Sequence, residues 1–87
     1  MAGFCTVEHE KRKQKWDMPN THYHNHYEIY YLISGKTRYL IGDSIYNVNA
    51  GDMIFIPKGT IHKTTQVGAK PIERLLISFS EDYFEDK

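Results

Sequence analysis

Cysteine is almost absent from this chain. The one thiol, Cys5, rules out an intrachain disulfide, and a lone cysteine fits a reducing compartment. An excess of one charge is absent too, since 11 Lys and Arg balance 11 Asp and Glu. A neutral domain carries no overall electrostatic footprint for nucleic acid. No apolar run approaches the roughly 20 residues of a membrane span. The opening Met1-Ala2-Gly3-Phe4-Cys5 lacks a signal-peptide pattern. The expectation is a soluble, cytoplasmic protein with no membrane partner. A length of 87 residues fits one domain with a thin margin of stability.

Tyrosine and histidine, by contrast, are plentiful, with seven and five copies. Tyrosine joins an apolar body to a polar tip and suits strands and pockets alike. From residue 22 onward every signal is β. Tyr27 to Ile33 is a near-continuous run of apolar and aromatic residues ending at Gly35. Thr37 to Ile41 and Ser44 to Val48 flank Gly42-Asp43, a hairpin signal. Met53 to Ile56, Ile61 to Gln66 and Ile72 to Phe79 follow as further short strands between turns. Strands this short and this closely spaced indicate an all-β sandwich or barrel.

The two ends read differently. Residues 1–21 are expected to form an N-terminal arm. It contains the basic run Lys11-Arg12-Lys13-Gln14-Lys15, read as a solvated segment. It also contains Trp16, which either pins the arm to the barrel or covers a pocket mouth. Residues 22–80 are expected to form the barrel. Ser80, followed by Glu81 and Asp82, has the features of a helix N-terminus. Residues 81–87 would then begin a helix that the chain truncates.

The chemistry gathers at His22, His24, His26 and Glu28. Alternate residues of a strand share one face, so all four side chains are candidates for one barrel interior. Apolar interiors reject ionisable groups that are not paired, hydrogen-bonded or metal-bound; the alternative is a wet, exposed strand end. A second pattern, Gly51-x5-Pro57-x-Gly59-x2-His62, sets His62 on the strand after a sharply defined Pro-Gly turn. His62 is then able to face back toward the first strand.

The segment His22-x-His24-x3-Glu28-x6-Gly35 resembles the first cupin motif, and Gly51-x5-Pro57-x-Gly59-x2-His62 resembles the second. Together they cover residues 22–66. Gln66 departs from the asparagine often found after the last histidine. The resemblance implies a single cupin-type double-stranded β-helix, or jelly-roll, barrel. Within the cupins, residues 22–35, Gly51-Asp52-Met53-Ile54-Phe55-Ile56-Pro57 and Arg74-Leu75-Leu76-Ile77-Ser78-Phe79 are most similar to the ligand-sensing domain of AraC-type transcription regulators. In that family dimerising helices and a helix-turn-helix region follow the barrel, and neither lies in these 87 residues.

The resemblance implies a small-molecule effector such as a sugar, a homodimer, and DNA contact only through a region outside this chain. It implies His22, His24, Glu28 and His62 as ligands of a divalent transition metal (zinc, nickel, manganese or iron), or the same residues as hydrogen-bonding partners of a hydroxylated ligand. His26 shares the spacing but not the motif. Trp16, Arg38, Tyr30 and Tyr39, together with His26, are the expected ligand contacts, because aromatic faces and a guanidinium suit polyhydroxylated molecules. The expected protein is a sensor and not an enzyme. The competing class is a metal-dependent cupin isomerase or dioxygenase, and a third is an interaction barrel with vestigial histidines.

Overall fold

A computed structural model describes residues 3–12, 25–68 and 70–84. Among the described residues seven strands form in chain order: β1 (Cys5–Arg12), β2 (Tyr27–Ser34), β3 (Lys36–Ile41), β4 (Ser44–Asn49), β5 (Met53–Ile56), β6 (His62–Gln66) and β7 (Ile72–Phe79). They make two sheets, of order β1-β7-β2-β5 and β4-β3-β6. All pairings are antiparallel. Among the described residues no helix is long and apolar enough to cross a membrane.

Alternation decides what faces inward. In β2, Glu28, Tyr30 and Leu32 are buried, and in β6 His62, Thr64 and Gln66 are buried. In β3, Thr37 and Tyr39 are buried while Lys36 and Arg38 are exposed. The core between the sheets is Tyr30, Leu32, Tyr39, Val48, Ile56 and Ile72, with Ile41, Ile54 and Leu76 against it. Burial of each such side chain stabilises by about 1.5–3 kcal/mol, so this short list carries much of the fold. Tyr30 and Tyr39 meet edge to face at 4.9 Å, an arrangement the ring quadrupoles favour.

Two glycines answer specific demands. Gly42 takes the positive φ (60°) of the two-residue β3–β4 hairpin. Gly35, at φ 90°, lies so close to the Pro71 carbonyl that a Cβ would sit 2.7 Å from it. Any side chain there would push β2 and β3 off the start of β7.

Both termini depart from the sequence reading. Residues 5–12, expected in an arm, are a full strand paired with β7 from Cys5↔Phe79 to Arg12↔Ile72. This strand lies at the edge of its sheet, where charged residues are tolerated and discourage aberrant pairing. The expected helix is a single 3₁₀ turn, Glu81–Phe84, among the described residues. Ser80 ties the ends of the fold together: its hydroxyl accepts the Phe4 N–H at 2.8 Å and donates to Asp82 at 2.7 Å.

Candidate functional site

The buried carboxylate of Glu28 meets the buried ring of His62, with Oε1 3.1 Å from Nε2. The two arrive from different sheets. Glu28 projects inward from β2, and His62 opens β6 directly after the Pro57–Gly59 turn. Nδ1 of His62 donates to the Thr60 carbonyl at 3.0 Å. That contact fixes the ring and leaves Nε2 facing Glu28. Burial alone pulls the His62 pKa down. The hydrogen bond to Glu28, the Thr60 carbonyl and the Glu28 charge outweigh it, and the net shift is upward. With acceptors at both ring nitrogens, a proton or a cation belongs between Nε2 and Oε1.

Other groups complete this end of the barrel. Ser78 donates its hydroxyl to Glu28 Oε2 at 3.5 Å. His26 Nε2 lies 3.8 Å from the same oxygen, and its ring meets Phe4 edge-on at 5.5 Å. Alternate spacing makes His22, His24, His26 and Glu28 candidates for one strand face. Instead β2 begins at Tyr27, and Asn25 and His26 lie in a bend. His26 therefore reaches Glu28 from outside the strand. His22, His24 and Trp16 lie outside the described residues. Among the described residues no three His, Cys, Asp or Glu side chains group as a metal site; Glu28 and His62 are the two expected ligands that can be placed.

A second polar grouping occupies the other end. The Tyr30 hydroxyl lies 3.4 Å from Thr37 Oγ1 and beside Thr64. Thr64 Oγ1 is buried without a hydrogen bond of good geometry. Burial raises the Tyr30 pKa, so the phenol stays a neutral donor and acceptor. The Arg74 guanidinium stands 5.9 Å over the Tyr30 ring. Glu10 accepts from Arg74 at 2.8 Å and from Arg12 at 2.8 Å. Burial works against the Glu10 charge, but the two guanidinium groups prevail and hold its pKa below the usual carboxylate value.

The expected ligand contacts divide accordingly. Tyr30 and Tyr39 are interior. Arg38 is not: its odd position in β3 turns it outward, where it donates to Asn47 at 3.4 Å. Arg74, from β7, is the more deeply buried inward guanidinium among the described residues. The sequence signal for it was available, because Arg74, Leu76 and Ser78 share the parity of one β7 face. Glu10 and Thr64 carried no comparable signal. Separately, an open, largely apolar groove of about 460 Å³ runs along β5, lined by residues that include Ile41, Tyr46, Met53 and Phe55.

With this geometry the comparisons with known proteins are unambiguous about kinship. The AraC-like ligand binding domain family matches residues 6–86. The chain belongs to that family. It is also 35% identical over 66 residues to an uncharacterized protein of Methanocaldococcus jannaschii, covering 72% of this chain and 53% of that protein; the chain thus spans about half of that relative's length. Solved cupins share the fold. An RmlC-like cupin with a double-stranded β-helix from the same organism superposes with a TM-score of 0.77 at 17% identity, over 95% of this chain and 76% of that one. A predicted oxalate decarboxylase of Thermotoga maritima gives 0.76 at 23% identity, over 85% and 64%. The all-β cupin barrel is therefore the fold of this AraC-like ligand-sensing domain.

Proposed function

We propose that this AraC-like domain senses a small hydroxylated molecule, a sugar being the leading class, for a cytoplasmic transcription regulator. It would act as a homodimer, with DNA bound by a region outside these 87 residues. The observation that carries the reading is the interior polar equipment. The hydroxyls of Tyr30, Thr37 and Thr64 line the inside of the barrel between the Glu28–His62 pair and the Arg74–Glu10 group. A ligand that supplies a hydrogen-bond partner to Thr64 Oγ1 is held by that atom's otherwise unmet capacity. For binding to signal, the ligand must favour one of two states of the regulator.

The metal reading rests on the same Glu28–His62 pair. Two donors on one ion with bonds of about 2.1 Å sit roughly 3 Å apart when adjacent. The 3.1 Å separation of Oε1 and Nε2 fits that requirement, and the Thr60 carbonyl supplies the outer hydrogen bond that orients a ligating histidine. His22, His24, Glu28 and His62 would then hold a divalent transition ion that anchors the effector's oxygens.

A thermal-shift and calorimetric panel of pentoses, hexoses and sugar acids, run with and without added zinc, nickel, manganese or iron(II), tests the reading. Saturable one-to-one binding that weakens at least tenfold in Thr64→Val, and DNA affinity of the complete regulator that changes with the bound ligand, are expected. DNA affinity indifferent to every bound ligand would overturn it. The second reading, a metal-dependent isomerase or dioxygenase, draws on the same donor pair. Metal-dependent turnover abolished in His62→Ala would favour it.

A further inference from the structure

The outer face of the four-stranded sheet is largely apolar. Its outward residues form continuous rows across the strands. Val7, Ile77, Ile29 and Phe55 make one row, and His9, Leu75, Tyr31 and Met53 make the next. Phe79, Tyr27 and Phe55 stack in series, with centroids 5.5 and 5.6 Å apart and planes within 25°. Val7 is 63% exposed, Met53 65% and Phe55 53%. A contiguous apolar field of this kind is rare on a monomer surface. The other sheet's outside is more polar: Lys36, Arg38, Asn47, Asn49, Lys63 and Thr65 project there, with Leu40 and Ile45 as its apolar positions.

We propose that this face binds the same face of a second copy of the chain, sheet on sheet about a two-fold axis. The proposal deepens the dimeric part of the reading above by assigning its surface. Size argues for this occupant. Three strands of eight residues and one of four, about 4.8 Å apart with about 3.4 Å per residue, give a flat footprint of roughly 460 Å² per copy. A pair buries about 900 Å², close to the roughly 1,000 Å² at which specific interfaces begin. A helix about 10 Å wide covers only half of that width, whereas a second sheet matches it. Composition agrees, since aromatic residues and methionine are enriched in interface cores.

Charge permits self-pairing as well. The field is bounded at one end by His9–Glu73 at 2.7 Å and at the other by Lys58–Glu81 at 2.7 Å. Each rim pair holds both an acidic and a basic group, so a two-fold copy brings no block of like charge against itself. This leaves an apolar centre within a polar rim, the anatomy of a protein–protein interface.

The 87-residue protein, without added effector, is examined by sedimentation velocity and light scattering over micromolar to sub-millimolar concentrations. Val7→Glu and Met53→Glu place a charge at exposed positions that the folded monomer tolerates, and circular dichroism verifies their fold. Ile45→Glu, at a 66%-exposed site on the other sheet, is the control. Expected are a dimer for the parent and Ile45→Glu, and dissociation at least tenfold more favourable for the other two. Cys5, the chain's one thiol, stands on the same face. Its alkylation should slow as the parent dimerises and stay fast in Met53→Glu. A parent monomeric at every concentration, or a dimer broken by Ile45→Glu and not by Val7→Glu and Met53→Glu, overturns the proposal. Because no effector is present, failure to find a ligand leaves this result standing, and the converse holds too.

Discussion

The barrel interior carries two ionic groupings built on different chemistry. At one end Glu28 and His62 are both almost fully buried, and the base is one that can lose its proton. At the other, Glu10 is held by two guanidinium groups that stay charged, and it keeps about a third of its side chain exposed. Burial makes an ionic contact expensive to break, and exposure makes it cheap. A titratable base can exchange its proton for a metal or a ligand, which a permanent cation cannot do. The first grouping therefore has the character of a site. The second has the character of a frame, holding Arg74 over Tyr30 and tying β1 to β7.

Removing one partner from each end should expose that contrast. Glu28→Ala leaves His62 buried without its carboxylate, and a loss of about 3 kcal/mol is expected. Urea unfolding at neutral pH reads it as a lower midpoint. The double replacement Glu28→Leu with His62→Leu should recover most of the stability while abolishing ligand or metal binding, since well-packed apolar pairs replace buried ion pairs at little cost. If the double variant keeps full binding, the pair is a packing device and the contrast disappears. Arg74→Met should cost less, about 1–2 kcal/mol, because Glu10 retains Arg12 and reaches water. The same unfolding assay decides whether the frame really is the cheaper end.

Much of this arrangement was legible beforehand. Strands β2 to β7 agree with the sequence expectation to within one residue at nearly every boundary, because apolar alternation and Gly-containing turns mark them. Glu28 and His62 were legible because motif spacing, rather than local pattern, pairs them. The first strand was not. Its inward positions are Thr6, Glu8, Glu10 and Arg12, so no apolar period announces it, and only pairing with β7 makes it a strand. His26 was misplaced because alternation was extended past the point where β2 begins. Its approach to Glu28 depends on a bend, which periodicity does not encode.

The two ends should also fail in opposite pH directions in metal-free protein. The folded-state pKa of His62 is raised. Its contribution to stability is complete below the unfolded value, near 6.5, and is lost as pH rises through the raised folded value. The folded-state pKa of Glu10 is lowered from 4.5. Its contribution is present above 4.5 and is lost as pH falls through the lowered folded value. The alkaline decline should be the larger, because solvent screens Glu10. Thermal melts from pH 3 to 9, roughly the span over which these groups titrate, should lose the alkaline arm in Glu28→Gln and the acid arm in Glu10→Gln. Loss of the same arm in both variants would show that the two groupings titrate as one network.

Arg38 sets the lower limit of the comparison. A guanidinium near two interior tyrosines in sequence invites a role in ligand contact, yet strand parity turns it to solvent beside Asn47. It belongs to neither grouping. Arg38→Ala should change stability by less than about 0.5 kcal/mol, as surface replacements usually do, and leave effector affinity within twofold of the parent. Calorimetric titration of the parent, Arg38→Ala and Arg74→Met with one effector makes the decision. A large loss confined to Arg74→Met assigns the interior cation to the β7 face. A large loss confined to Arg38→Ala would mean that the ligand reaches the outside of the three-stranded sheet, and that the interior groupings serve the fold alone.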